Sequence, residues 1–147
     1  MLSTIEKVLF LKSVDLFSQI PGEELAQIAE VVREVNFAKG EVIISQGDIG
    51  DRLYLIIDGK VKVMVDGRQV AELGERECFG EMSILDAEPR SASVIAESDV
   101  VLLELSQEDF YQMINERPEI AQGIIKVLTH RLREANRIIS ELKAKRR

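Results

Sequence analysis

Apolar residues recur every three or four positions at both ends of the chain and every second position between them, so the pattern predicts helices flanking a sheet. Residues 3–32 read as helical, with Ile5, Val8 and Leu9 on one stripe and Leu25, Ile28, Ala29 and Val32 on a later one. Pro21-Gly22-Glu23-Glu24 starts the second helix, since proline suits a first helical turn and the carboxylates favour its positive end.

From residue 34 to residue 105 the period drops to two and turn signals follow every few residues. The expected strands are 34–38, 41–46, 52–58, 60–65, 69–73, 91–96 and 100–105, broken at Lys39-Gly40, Gly47-Asp48, Asp58-Gly59, Asp66-Gly67 and Leu73-Gly74. Asp66-Gly67 suits a type I′ hairpin, whose two central residues both need positive φ. This spacing predicts a mainly β fold with flanking helices: a double-stranded, jelly-roll-like β-roll with N-terminal helices, a short helix after Gly80 and two C-terminal helices.

The helical period returns after Leu105, with Ser106 as N-cap and Asp109 three residues on. A helix to about Asn115 stops before Pro118, and Pro118 starts a second one running to about Leu142. Along it Ala121, Ile125, Leu128, Leu132, Ala135, Ile139 and Leu142 form a heptad-like stripe. That stripe can pair with a second copy of itself, a homodimer through the C-terminal helix, or pack on its own β-roll.

A chain of 147 residues with 46% hydrophobic and 31% charged residues is expected to be one domain, divided as 1–33, 34–105, 106–142 and a basic tail 143–147. The start lacks the basic flank and apolar stretch of a signal peptide, and no apolar run approaches a membrane span, so the expected setting is cytoplasmic. The single Cys78 reads as a small core residue rather than a nucleophile. The net charge of -7 is uneven, since seven Lys or Arg face only Glu134 and Glu141 from Arg131 onward. The acidic remainder disfavours binding to nucleic-acid backbones. A lone His130 and the lack of a nucleophile and base pair exclude most catalytic and metal chemistries, so no enzyme activity, no cofactor and no metal are expected.

The candidate chemistry lies between Gly80 and Ala92. The segment Glu81-Met82-Ser83-Ile84-Leu85 can make one or two helical turns whose first N–H groups are open to phosphate oxygens. Ionised Glu81 accepts hydrogen bonds only and suits a ribose 2′-hydroxyl. Arg90 presents a planar fork matched to two phosphate oxygens, and the Ser91 hydroxyl and the N–H of Ser91 or Ala92 add to it. A ribose carrying a singly charged phosphodiester, a cyclic nucleotide, meets these requirements.

Residues 79–94, Phe79-Gly80-Glu81-Met82-Ser83-Ile84-Leu85-Asp86-Ala87-Glu88-Pro89-Arg90-Ser91-Ala92-Ser93-Val94, resemble the phosphate-binding cassette of the cyclic nucleotide-binding domain family. Leu16-Phe17, Gly40-Glu41, Gly47-Asp48, Tyr54-Leu55-Ile56 and Asp58-Gly59 extend the resemblance over nearly the whole chain. It implies that Glu81 holds the ribose, Arg90 the cyclic phosphate, and the backbone of Gly80, Met82, Ser83 and Ser91 the other oxygens. It also implies an apolar wall at Val63, Val70 and Ala71 and a lid on the last helix at Arg131, Ala135 and Asn136. Ser83 stands where alanine is frequent in the family, and Ser91 where many members carry alanine or threonine. Threonine there tends to accompany cyclic GMP, so serine favours cyclic AMP, with cyclic GMP as the other candidate.

With no helix-turn-helix before Arg147, the expectation is a free-standing or excised sensor that does not read DNA and whose last two helices move on binding, altering contact with a regulated partner. The alternative is a domain that keeps the fold without the ligand and works as an interaction or dimerisation module.

Overall fold

The computed structural model of the chain describes residues 1–80 and 89–146. Helix α1 (Thr4–Ser13), a 3₁₀ turn (Asp15–Phe17) and helix α2 (Gly22–Val31) lead into eight strands. These are β1 (Arg33–Phe37), β2 (Val42–Ile44), β3 (Arg52–Asp58), β4 (Val61–Val65), β5 (Arg68–Leu73), β6 (Cys78–Phe79), β7 (Ser93–Ala96) and β8 (Val100–Ser106). Helices α3 (Gln107–Glu116) and α4 (Pro118–Lys145) follow.

The strands form two four-stranded antiparallel sheets, ordered β1-β8-β3-β6 and β2-β7-β4-β5, which is the expected β-roll. The pleat divides the buried side chains of β3 and β8 between two cores, because successive residues point to opposite faces. Tyr54, Ile56, Val100 and Leu102 meet Ile44, Val61, Phe79, Val94 and Ala96 between the sheets. Leu53, Leu55, Leu103 and Leu105 turn the other way, onto a helical layer built from Leu11, Phe17, Ile20, Leu25, Ile28, Phe110, Ile120 and Val127.

Local signals place the ends of the elements. Ser3 and Glu6 form a reciprocal capping box at α1, with the Ser3 hydroxyl accepting from the Glu6 N–H at 3.2 Å and Glu6 Oε1 accepting from the Ser3 N–H at 3.1 Å. Hydrogen bonding to the Glu6 carboxyl from Ser3, its backbone N–H first and then its hydroxyl, lowers that carboxyl from its ordinary value. The Ser106 hydroxyl caps α3 by accepting from the Asp109 N–H at 3.2 Å. At the β4–β5 hairpin Asp66 and Gly67 have φ of 51° and 78°, as the turn type requires.

The structure departs from the sequence reading at three points. Ile5 and Leu9 are 73% and 67% exposed, and α1 instead buries Leu11, with Val8 and Phe10 packed against the core, because the helix turns the face of Val8 and Leu11, three positions apart, toward the body. The heptad-like stripe of α4 does not pack on the β-roll: Ile125, Leu128, Leu132, Ile139 and Leu142 are all exposed. The buried face of α4 is Ile120, Gly123, Ile124 and Val127, rotated away from that stripe. Strand β6 is an addition, a two-residue strand too short to show a period. The predicted helix after Gly80 lies outside the described residues.

Gly123 sets the closeness of α4 to the body, since a Cβ there would sit 2.8 Å from the Gln19 carbonyl oxygen and 2.9 Å from Ile20 Cγ1. Gly123→Val is expected to lower the unfolding free energy by about 1–3 kcal/mol, the usual cost of overpacking, as read from urea denaturation.

Candidate functional site

Arg90 is one of two buried charged side chains among the described residues, only 8% exposed, and its surroundings are built from four separate pieces of chain. Its backbone is pinned to the loop between β2 and β3: the Arg90 N–H donates to the Asp48 carbonyl at 2.7 Å, and the Gly47 N–H donates to the Arg90 carbonyl at 2.8 Å. Pro89 bridges to Ile49 in the same loop. From this anchor the guanidinium reaches across to two carbonyl oxygens, donating from Nη1 to Gly80 at 3.1 Å and from Nη2 to Arg52 at 2.8 Å.

Two glycines make room for this path. A Cβ on Gly50 would lie 1.7 Å from Arg90 Nε, inside the side chain itself. Gly80 has φ of +85°, a region that L side chains rarely adopt, and a Cβ there would meet the Arg52 carbonyl oxygen at 2.6 Å and Arg90 Nη1 at 2.8 Å. Its bonds to the Gly80 and Arg52 carbonyl oxygens fix the direction of the planar fork.

Beside it lies a cavity of about 280 Å³ between the sheets, lined by Ile44, Val63, Leu73, Cys78, Phe79, Gly80, Arg90, Ser91, Ala92 and Val94. Its wall is largely apolar and Arg90 is the one charged residue in its lining among the described residues, an arrangement suited to a small anion with an apolar body. Phe79 is backed by Tyr54, with ring centroids 5.2 Å apart in a stacked pair. Burial, and then the neighbouring Glu104 carboxylate, pushes the Tyr54 phenol up to about 12. Glu104 also pairs with Arg52 Nη1 at 3.1 Å, so Arg52 uses its side chain on β8 and its carbonyl on Arg90.

Of the sequence-predicted residues, the structure brings together Gly80, Arg90, Ser91, Ala92 and Val63 around this cavity. Glu81, Met82 and Ser83 lie outside the described residues. Ala71 pairs with Val63 across the β4–β5 ladder but is exposed, and Val70 is 60% exposed; neither lines the cavity. Arg131 is engaged with Asp15, and Ala135 and Asn136 are exposed on α4. Cys78, expected in the core, is half-buried, packs against the helical-side core and lines the cavity.

Sequence reasoning missed Ile44, Leu73, Phe79 and Val94 as wall residues, and the roles of Gly50 and the Arg52 carbonyl. The Gly47-Asp48 pair repeated as Gly50-Asp51 was the available signal for the loop; a carbonyl contact leaves no trace in residue type.

Two roomier clefts have different linings. One of about 450 Å³ at the start of α3 carries Asp51, Glu104, Glu108 and Asp109 beside Arg33 and Arg52. The other, of about 620 Å³, lies between α4 and the segment Asp15, Ser18 and Gln19. Among the described residues no group of three or more His, Cys, Asp or Glu side chains could hold a metal ion, and no helix is long and apolar enough to cross a membrane.

The sequence of residues 34–117 matches the cyclic nucleotide-binding domain family. The chain belongs to that family. It is 33% identical over 132 residues to a CRP-like cAMP-activated global transcriptional regulator of Mycobacterium tuberculosis, covering 86% of this chain and 59% of the relative. It is 38% identical over 131 residues to the cyclic AMP receptor protein of Thermus thermophilus, covering 86% of this chain and 61% of that protein. The chain therefore spans about six-tenths of the length of these relatives. The crystal structure of the N-terminal domain of a transcriptional regulator from Streptomyces coelicolor superimposes with a TM-score of 0.78 at 36% identity, covering 86% of this chain and 94% of that one.

Gly50→Ala is expected to destabilise the protein by about 1–3 kcal/mol through collision with Arg90. In an Arg90→Ala background the same substitution should cost much less, so a double-mutant cycle by chemical denaturation should give a large coupling energy. Additive effects would contradict the steric account.

Proposed function

We propose that the domain is a sensor that binds a cyclic nucleotide, cyclic AMP in preference to cyclic GMP, and performs no chemistry on it. The single observation that carries this reading is buried Arg90 in the lining of a largely apolar cavity that Gly80, Ser91 and Ala92 also line. In this reading the fork takes the cyclic phosphate, Glu81 takes the ribose hydroxyl, and the backbone of Gly80, Met82, Ser83 and Ser91 takes the remaining oxygens. Val63, with Ile44, Leu73 and Phe79, meets the purine, and Val70 and Ala71 stiffen that wall from the adjoining strand. The protein works in the cytoplasm; among the described residues no helix is long and apolar enough to cross a membrane. The likeness to two regulators whose names carry cyclic AMP supports the choice of ligand.

Binding moves α4 toward the cavity, so that Arg131, Ala135 and Asn136 come within reach of the ligand, and this motion alters contact with a regulated partner. A ligand shifts such an equilibrium only through its differential affinity for the two positions. The exposed stripe Ile125, Leu128, Leu132, Ile139 and Leu142 supports a second copy of the chain as one such partner.

Isothermal titration should show micromolar binding of cyclic AMP and weaker binding of cyclic GMP. Arg90→Ala should weaken cyclic AMP roughly 10- to 100-fold, the loss of one or two charge-assisted bonds. Absence of heat with either nucleotide at high micromolar concentration would reject the sensor reading, and unchanged affinity in Arg90→Ala would reject the role of Arg90.

Dimerisation is tested by sedimentation of Leu132→Glu and Ile139→Glu, which leave the buried Ile120, Ile124 and Val127 in place. Both variants are expected to sediment as monomers where the parent chain is a dimer. A dimer that survives both substitutions places the interface elsewhere.

A further inference from the structure

The last buried residue of α4 is Val127, and from Leu128 to Arg146 the helix is exposed. One turn beyond Val127, Arg131 reaches back to the body: Nε and Nη2 both donate to Asp15 Oδ2, at 3.2 and 2.9 Å. Arg137, further along, pairs with Glu134 and Glu141 of its own helix. Asp15 opens the 3₁₀ turn between α1 and α2, so the pair ties the free arm of α4 to the N-terminal segment.

The pair is also close to the ligand wall. Arg131, Asp15 and Arg76 border a cleft of about 200 Å³ that shares Cys78 with the cavity beside Arg90. Among the described residues, those lining that cavity include none from α4. Cys78 thus stands between Arg131 and the cavity, while the Arg131 guanidinium is engaged with Asp15.

We infer that the Asp15–Arg131 pair is a latch that sets the angle of α4 and holds it back from the cavity, lowering the affinity for cyclic nucleotide. The inference rests on the reading that α4 closes over the bound ligand. Closing draws Arg131 away from Asp15, so part of the binding free energy is spent on opening the pair. Because the pair is exposed, its effect is modest, about two- to fivefold in affinity, and it weakens with salt.

The test uses the full chain. Asp15→Asn removes the charge at a residue that is not itself a proposed ligand contact, and should tighten cyclic AMP binding about two- to fivefold in low salt. Asp15→Glu should retain the parent affinity. In a Cys78→Ser background, spin labels at Arg68→Cys and Ser140→Cys report the angle of α4 by electron–electron distance, and Asp15→Asn should broaden or shift that distance before any nucleotide is added.

Unchanged or weaker binding in Asp15→Asn, with the parent chain binding normally, overturns the latch and leaves the sensor reading intact. Failure of the parent chain to bind overturns the sensor reading. The latch is then judged by the spin labels, and identical distances in parent and Asp15→Asn overturn it as well.

Discussion

Strand β3 is buried on both faces, and the rest of the architecture follows from that constraint. Its Leu53 and Leu55 belong to the helical core and its Tyr54 and Ile56 to the core between the sheets. A slip of one residue against β8 would exchange the two sets and expose each to the wrong environment. The register Leu53↔Leu105 and Tyr54↔Glu104 is therefore fixed by packing on two sides at once. That fixed register presents the Arg52 carbonyl to Arg90, so the cation of the site takes its bearing from the hydrophobic division of the fold.

The same strand carries polar order to the edge of the core. Arg52, Tyr54 and Glu104 form a compact group in which each member satisfies another, with the phenol kept protonated by burial and the adjacent carboxylate. Behind Phe79 this group gives the cavity a stiff floor, while β4 and β5 supply a wall on the far sheet. Arg90 joins the two sheets: its backbone holds the β2–β3 loop and its side chain holds β3 and the end of β6.

Much of this was legible in the sequence wherever a local rule acts alone. The alternation of apolar residues locates seven strands to within two residues, and Ser106 with Asp109 and Pro118 locate the last two helices. Where two rules compete, the reading fails. The residues of α4 offer two apolar faces, and the heptad-like one is the more regular, yet the face that packs contains Gly123, whose lack of a side chain permits the close approach to Gln19. In α1 the exposed Ile5 and Leu9 have the right spacing, but the face that packs is that of Val8 and Leu11. For the site, residue chemistry pointed to Arg90 and its neighbours. What orients Arg90, two carbonyls and the space left by Gly50, is a matter of backbone position that no side chain announces.

The length of α4 gives the small contacts at its base a large reach. From Gly123, where the helix touches the body, to Lys145 is about 33 Å at about 1.5 Å per residue. A tilt of about 10° at that fulcrum carries the tip through about 6 Å by the same geometry, roughly one helical turn. The helix has the proportions of a lever arm: its packing on Gln19 and Ile20 fixes the direction in which the whole exposed, basic end projects.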